Sequence, residues 1–540
     1  MGQGESLDSS IPEDFNTLLT MDIRLNDPIC KSILSGRALT HQLLDQPIFY
    51  TLCKNKPNNV RVLIYHMTFS IFRLAQIPLQ SELPKGMLLS VLNSYLLFQR
   101  FHAYFLQVWD KWPTSSQFKG TLPEATILSS FQLLNHPQIL SATQKNSILY
   151  HIKYEMIRTL NFFLMSSPQP SVETYPNIHF QTFDQAEPVS IFKFLVNYNN
   201  NDELFRISVL LTANSLAFCP YWQDVLNSLN FNDISPIFAP LLQPPTDQQM
   251  LLVNSPSPGS FHELVALFYQ TLLNHSDAIT SLPRGRDFVV ALLLPLQLYN
   301  EQGSLSYFHS LILSSLVLFT SDTRLSVSLN EPFTSVFPCK QSMHRGTHAD
   351  LLIEVITNTS GTDLNKTSPL LPAVACILHN IAAHIHTFSF FTCNRIFHFL
   401  QQLTESKDRQ ANQLIQIVVD GLNQIVFEQF HKNKTILLFI IRNAKLIKSL
   451  AARGINVHYL IAFITAFRSR TSEAKLKTEE AEIILSKMKP SMFMSDFQLL
   501  GPRGHIFTGE MAELWPDWIR TLAMRGGGFQ QLQYRIESSN

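Results

Sequence analysis

The chain has 540 residues, of which 45% are hydrophobic and 15% are charged, so it is too apolar to be disordered and too long for one small core. It contains 40 Phe and only 18 Gly, where an average composition gives roughly 38 Gly, which favours long buried helices over a β-sandwich or a phosphate-binding α/β fold. Lys plus Arg equals Asp plus Glu at 41 each, so no global field attracts nucleic acid, and we expect no nucleic-acid partner.

The first residues, 1–14, are small, polar and acidic, which is typical of a flexible tail. Gly2, with Ser6 four positions later, matches the N-myristoylation pattern, in which removal of Met1 exposes the Gly2 amine for acylation. A chance match of Gly and Ser is the alternative, and it stays open. This end of the sequence lacks a basic segment followed by an apolar core, so we expect no signal peptide.

Helical patterns follow the tail. Residues 60–77 and 86–112 are long, nearly free of Pro and Gly, and apolar on more than one face, which predicts buried helices in stacked layers. Pro- and Ser-rich stretches at 166–170, 240–245 and 255–260 predict loops between layers. We find no repeat of fixed period. The prediction is an all-α, Arm- or HEAT-like helical solenoid, with an N-terminal helical region over 15–259.

The stretch from 303 to 358 has the most specific local pattern. Leu325, Val327 and Leu329 alternate with polar residues, which predicts a half-exposed strand in a short extended hairpin near 324–338. Further on, Thr347 is followed three positions later by Asp350, as in a capping box. A helix is therefore predicted to begin at about His348.

This order of an apolar helix, the turn Asn330-Glu331-Pro332 and a helix start at Gly346-Thr347-His348-Ala349-Asp350 resembles the family of the high-temperature-induced dauer formation protein, which is related to dymeclin. Residues 260–275 and 436–451 are similar to that family in the same order, so we expect a family-core helical region over 260–467. The resemblance gives structural motif roles to Asn330, Pro332, Gly346, Thr347, His348 and Asp350. It also implies a peripheral protein of Golgi or trans-Golgi membranes that serves vesicle trafficking or secretory-granule biogenesis, in a family whose members look myristoylated.

Residues 431–470 contain eight Lys and Arg and no Asp or Glu. On one continuous helix, five basic residues of this region fall within a stripe about 140° wide. These five are Lys434, Arg442, Lys445, Lys448 and Arg453. A basic amphipathic helix can lie on an anionic membrane, and a single acyl chain needs such a second signal for stable attachment. The alternative is an ordinary solvated face above a buried apolar face.

Two uncharged blocks, 303–321 and 370–393, approach the ~20 residues of a membrane-spanning helix. Their His, Ser and Pro residues favour buried helices instead, and membrane insertion is the alternative. Residues 468–482 are predicted to form a charged linker, and 483–540 a C-terminal region with a small extended segment.

Residues with catalytic or metal-binding side chains follow no known template. The potential metal ligands lack zinc-site spacing, so core packing is favoured. They are Cys376, His379, His384, His386, Cys393 and His398. His344, His348 and Asp350 suggest a general base, but helix capping accounts for Asp350. We therefore expect no metal, no cofactor, no small-molecule substrate and no enzymatic activity.

The six cysteines lack CxxC spacing, which argues against a disulfide scaffold and favours a reduced, cytosolic setting. Together with the resemblance, the sequence predicts a cytoplasmic, non-enzymatic scaffold attached peripherally to Golgi or trans-Golgi membranes. Two alternatives remain: a soluble Arm- or HEAT-type scaffold that is not tied to membranes, and an integral membrane protein.

Overall fold

The structure is a computed structural model that describes residues 13–39, 44, 48–105, 121–165, 180–198, 202–242, 261–275, 277–282, 285–302, 307–334, 346–359, 370–406, 410–471, 478–494 and 496–502. The chain divides into two compact units. The first comprises Met1–Ile237, Asn254–Gln270 and Ile519–Asn540, and the second comprises Phe238–Val253 and Thr271–Trp518. The motif residues and the five basic residues all belong to the second unit.

The described part of the first unit is helical. Its helices are α1 (Glu13–Thr20), α2 (Pro28–Ser35), α3 (Ile48–Asn55), α4 (Pro57–Ala75), α5 (Lys85–Phe105), α6 (Leu122–Leu134), α7 (Pro137–Leu140), α8 (Ile148–Met165), α9 (Phe180–Phe183), α10 (Val189–Asn197), α11 (Glu203–Phe218), α12 (Pro220–Ser228) and α13 (Phe231–Ile234). A 3₁₀ helix, Ser235–Leu242, and α14 (Phe261–Asn274) each have residues in both units.

These helices stack in two rows. α2, α5, α8 and α11 form one row, in which each helix contacts the next, and α4, α6 and α9 form the other. The helices are apolar on several sides because each packs against more than one neighbour. Local signals set their ends: Thr121 and Glu124, for example, form a reciprocal capping box at the start of α6.

An ion-pair group lies inside the first unit. The Arg206 side chain, which is 5% exposed, donates from Nε and Nη2 to the two carboxylate oxygens of Glu203 at 2.7 and 2.6 Å. It also donates from Nη1 to Oε1 of Glu263 on α14 at 2.9 Å. Because its charge is met from two helices, the guanidinium connects α11 to α14.

A second buried cation, Lys153 on α8, closes the end of a short helix. Its Nζ donates to the carbonyl oxygens of Leu140 at 2.7 Å and Ala142 at 3.3 Å, and it lies 3.7 Å from the centre of the Phe194 ring. Burial lowers the pKa of the Lys153 ammonium to about 7, although the carboxylate of Asp202 acts in the opposite direction.

The second unit continues the same construction. Its remaining elements are α15 (Ala278–Ser281), α16 (Gly285–Gln302), α17 (Tyr307–Thr320), α18 (Thr323–Ser328), β1 (Pro332–Phe333), β2 (Gly346–Thr347), α19 (His348–Thr359), α20 (Leu371–Ala382), α21 (Phe390–Glu405), α22 (Ala411–Glu428), α23 (Lys434–Arg442), α24 (Ala444–Ala451), α25 (His458–Arg468), α26 (Thr478–Ser486) and a 3₁₀ turn, Pro490–Met492.

Here too the helices form two rows. α16, α19, α21 and α23 contact one another in sequence, and α17, α20, α22 and α25 do the same beside them. Gly421 allows α22 to approach α20 closely, since a Cβ at this position would lie 3.2 Å from the Cα of His379. Within each unit the chain is thus built of stacked helical layers, and the prediction of an all-α helical solenoid is confirmed.

The predicted strand over Leu325, Val327 and Leu329 is wrong, because α18 occupies this stretch. Asp322 caps α18 by accepting from the backbone N–H of Leu325 at 2.8 Å. Leu325 and Leu329 are four residues apart and therefore share the buried face, whereas Val327 is 46% exposed. Alternation over five residues fits both periods, and the cap decides for the helix. The two-stranded sheet instead pairs β1 with β2 in antiparallel register, Pro332 with Thr347 and Phe333 with Gly346.

The two uncharged blocks contain α17 and α20, helices of 14 and 12 residues with many buried side chains. Among the described residues, no single helix combines the length and apolarity needed to cross a membrane. By length and composition alone the pair α11 and α12, bent by 108°, meets that criterion together. The predicted charged linker includes the first turn of α26, and the C-terminal extended segment lies outside the described residues.

Candidate functional site

The start of α19 contains the predicted capping box. The backbone N–H of Asp350 donates to Thr347 Oγ1 at 3.2 Å, and the backbone N–H of Thr347 donates to Asp350 Oδ2 at 3.0 Å. The Thr347 hydroxyl also donates to the same carboxylate oxygen at 3.1 Å. The cap prediction is confirmed, since both residues meet free amides of the first helical turn.

Asp350 does more than cap its own helix. Its other carboxylate oxygen, Oδ1, accepts from the backbone N–H of Ser389 at 2.9 Å and from the Thr392 hydroxyl at 2.6 Å. Ser389 is itself the N-cap of α21, where its hydroxyl accepts from the Thr392 backbone N–H at 3.1 Å. A carboxylate that is 3% exposed therefore joins the N-termini of two stacked helices, where helix dipoles favour a negative charge.

Asn330 and Asn433 hold the segment between α20 and α21. Asn330 donates from Nδ2 to the carbonyl of His384 at 2.9 Å and accepts at Oδ1 from the N–H of His386 at 2.7 Å. Asn433, at the N-cap position of α23, accepts from the N–H of Phe388 at 3.1 Å. Together with Asp350 at Ser389, these amides fix the segment over 384–389, and we call Asn330, Asp350 and Asn433 the clasp.

The identities of the other motif residues follow from this packing. A Cβ on Gly346 would lie 2.7 Å from Asp350 Oδ2, so this position admits no side chain without displacing the carboxylate. His348 donates from Nδ1 to the carbonyl of Glu331 at 2.9 Å and packs edge-on against Phe333, with ring centres 5.3 Å apart. Pro332 lies in β1, opposite Thr347, and needs no N–H in that register.

Asp350 and His348 both have hydrogen-bond partners within the protein. Both oxygens of Asp350 accept hydrogen bonds within the protein, and His348 is bonded to a backbone carbonyl. His344 lies outside the described residues. In the part of the chain that the structure describes, no three His, Cys, Asp or Glu side chains are placed to hold a metal ion. Burial raises the pKa of the Cys30 and Cys53 thiols to about 12.

The five predicted basic residues do not lie on one helix. The helix breaks at Asn443, so Lys434 and Arg442 are on α23 while Lys445 and Lys448 are on α24, and Arg453 follows α24 in a turn. The prediction of one continuous helix is wrong here. The break lets Leu438 and Phe439 of α23 and Ile447 and Leu450 of α24 be buried separately.

The surroundings of these cations differ. Arg442, Lys445 and Lys448 are exposed, and Arg442 donates to the Thr478 hydroxyl of α26 at 3.2 Å. Lys434 is half-buried. Arg453 is also half-buried and donates from Nη1 to the carbonyl of Thr404 at 2.6 Å. Three of the five residues are therefore available at the surface, and we call Arg442, Lys445 and Lys448 the basic surface.

Sequence reasoning missed two residues beside the clasp, Phe390 and Phe391. They are the first residues of α21 and are 63% and 43% exposed. The Phe390 ring touches the Phe439 ring of α23 with centres 4.9 Å apart, and the Arg395 guanidinium lies 5.0 Å from the centre of the Phe391 ring. A signal was available: adjacent residues of a helix point about 100° apart, so two Phe directly after a cap cannot both face one neighbour.

Comparison with known proteins gives three findings. A family model described as high-temperature-induced dauer-formation protein matches residues 203–491, more than half of the chain. Protein HID1 of Homo sapiens and Protein HID1 of Mus musculus are each 25% identical to this chain over 244 residues, which are 43% of the chain and 31% of the relative. The match thus spans about a third of each relative's length. No solved structure matches.

Proposed function

Because the chain belongs to the family of the high-temperature-induced dauer-formation protein, we propose that it is a non-enzymatic, peripheral protein of Golgi or trans-Golgi membranes. It lies on the cytoplasmic face and acts as a scaffold in vesicle trafficking or secretory-granule biogenesis. Stacked helical layers suit this role because they present long outer surfaces to protein partners.

The basic surface is the observation that carries the membrane half of the proposal. Arg442, Lys445 and Lys448 are exposed within a stretch, 431–470, that has no acidic residue. Each basic side chain near an anionic leaflet contributes about 1 kcal/mol, so the three supply about 3 kcal/mol. The attraction is screened by salt, because the Debye length is about 8 Å at physiological ionic strength.

Gly2 supplies the second part of the proposed anchor. A single myristoyl chain holds a protein to a bilayer only marginally, and stable attachment requires another signal. Acylation of Gly2 and attraction at the basic surface add their free energies, because both act on the same bound state. The mass of the mature N-terminus tests the acylation directly.

Fractionation of cells that express matched variants tests the proposal. Gly2→Ala removes the acylation site, and Lys445→Glu with Lys448→Glu replaces two attractions by two repulsions, a change of about 4 kcal/mol at the membrane. The control is Lys31→Glu with Lys54→Glu, which reverses two exposed lysines of the first unit. We expect the first two variants to move into the supernatant and the control to stay in the membrane pellet.

The opposing results are equally specific. A wild-type protein that stays in the supernatant indicates a soluble scaffold. A wild-type protein that resists alkaline carbonate extraction indicates an integral one. Membrane association that neither Gly2→Ala nor the lysine reversals reduce rules out the two-part anchor.

A further inference from the structure

Phe390 and Phe391 form an exposed aromatic pair on an otherwise well-packed helix. The later apolar residues of α21, including Cys393, Ile396 and Phe397, are at most 4% exposed. The pair therefore departs from the pattern of its own helix. Its exposed fractions of 63% and 43% leave roughly half of two large rings in water.

The two residues directly before the pair are fixed within the protein. Ser389, directly before it, caps α21 and is bonded to the buried Asp350, and Phe388, one residue earlier, is 3% exposed and bonded to Asn433. Because the two positions before the pair are fixed by packing or hydrogen bonds, the rings project from a rigid helix end.

One cation lies against the pair, and another is bonded to the segment before it. Arg395 lies against the Phe391 ring, and Lys432 donates to His386 Nε2 at 3.2 Å on the fixed segment. The sequence has no Asp or Glu anywhere in 364–404, which includes the pair, or in 431–470, which includes α23 and its contact with Phe390. Asp350, which is hydrogen-bonded to Ser389 on this segment, is buried, and Glu428 and Asp322 act on His384 at the far end of the segment.

We propose that Phe390 and Phe391 enter the interfacial region of an anionic lipid bilayer, while Lys432 and the basic surface contact lipid phosphates. The proposal rests on the membrane function proposed above and specifies which part of the chain touches the lipid. Aromatic rings favour the interface between headgroups and acyl chains, and neighbouring cations are attracted to anionic headgroups. A bilayer also accepts a projecting helix end without a matching pocket, which a protein partner would need.

Vesicle flotation of the full-length chain, produced without N-myristoyltransferase, isolates this surface from any acyl chain. The probe is phosphatidylcholine vesicles with and without phosphatidylserine. We expect the wild-type chain to float with the anionic vesicles. Phe390→Ser with Phe391→Ser should lower the partition coefficient about tenfold or more, because the variant has no aromatic rings at these positions to transfer from water into the bilayer.

The matched control is Leu499→Ser with Leu500→Ser, which changes another adjacent apolar pair of the same unit, 51% and 42% exposed. We expect this control to bind like the wild-type chain. Both double variants should stay folded and lose similar, moderate amounts of stability in urea, because about half of the altered side-chain surface already lies in solvent. A second readout is Phe390→Trp: its emission after subtraction of the wild-type emission, which comes from five Trp, should shift to the blue and be quenched by brominated lipid in the vesicles.

Each contrary outcome has a distinct meaning. If the wild-type chain floats and the Phe pair variant floats equally well, the lipid contact lies elsewhere and the proposed membrane function stands. If the unacylated chain does not float with anionic vesicles, this site is refuted, and flotation of the acylated chain then decides the proposed function. If the Phe pair variant loses self-association in sedimentation but keeps its vesicle binding, the pair is a protein contact and the inference is wrong.

Discussion

Replacing Asp350 with alanine removes the group that joins two stacked helices. Its carboxylate accepts four hydrogen bonds, from the N–H and hydroxyl of Thr347 on one side and from the Ser389 N–H and Thr392 hydroxyl on the other. Hydrogen bonds to a charged group contribute about 1.5–3 kcal/mol each, and a donor left without a partner in a buried place costs about 1–3 kcal/mol. Because both backbone amides are only partly buried, water recovers some of this. We expect a loss of about 3–5 kcal/mol.

The best assay is local, because a chain with two compact units need not unfold in one step. Native-state hydrogen exchange reports the opening free energy at individual amides. In Asp350→Ala, the amide of Ser389 should exchange roughly 100- to 4,000-fold faster, since each 1.4 kcal/mol of the expected loss is a factor of ten. Asp350→Asn should lose roughly half as much, because one oxygen can still accept while its amide group faces a donor.

Glu405→Ala is the control, since it removes an exposed carboxylate at the other end of α21 and should cost less than about 0.5 kcal/mol. Pairing Asp350→Ala with Thr392→Val completes a double-mutant cycle, in which a coupling of about 0.5–3 kcal/mol is expected for residues in contact. Exchange at Ser389 that stays at the wild-type rate in Asp350→Ala would refute the role of this carboxylate as a link between helices.

Three further predictions test other parts of the structure. Gly346→Ala should destabilise the chain by about 1–3 kcal/mol in urea unfolding, because the added Cβ meets Asp350. Gly86→Ala is the control and should be neutral or stabilising, because Gly86 has open space around it in α5. Equal effects of the two substitutions would contradict the close contact at Gly346. Leu325→Ser should cost about 2–3 kcal/mol and Val327→Ser less than about 0.5 kcal/mol, whereas a strand would give them similar costs. Because burial lowers the pKa of Lys153 to about 7 in the folded chain, the unfolded chain binds more protons between pH 7 and the ordinary pKa of lysine. The unfolding free energy of the wild-type chain should therefore rise relative to that of Lys153→Met from pH 7 to pH 10. A difference between the two chains that does not change with pH would contradict this sign.

Apolar patterns that extend over many consecutive residues predicted the fold correctly. Helices with several apolar sides imply packing on several sides, and the two rows of each unit satisfy that requirement. The cap at Thr347 was also predictable, because its partners lie within one turn of the same helix. Apolar patterns within a helix and caps within one turn depend on neighbouring residues of the chain, so a single sequence shows them.

Short or non-local features were beyond the reach of the sequence. The alternation at 325–329 was too brief to separate a strand from a helix, and Asp322 as a cap decided it. The break at Asn443 follows from separate burial of α23 and α24, which depends on neighbouring helices. The bonds from Asp350 to Ser389 and from Asn433 to Phe388 join residues 39 and 45 positions apart, and no spacing rule predicts them.

The clasp and the aromatic pair are parts of one arrangement, and two variants separate their effects. Asp350 touches no lipid in the proposed complex, yet it fixes Ser389, and Ser389 determines where Phe390 and Phe391 lie. Asp350→Ala should therefore lower both stability and vesicle binding. Without the carboxylate the helix end is flexible, and ordering it at the membrane then costs free energy. Phe390→Ser with Phe391→Ser should lower vesicle binding with a much smaller loss of stability than Asp350→Ala causes. If Asp350→Ala weakens the fold but binds anionic vesicles as tightly as the wild-type chain, a rigid helix end is not what presents the pair to lipid.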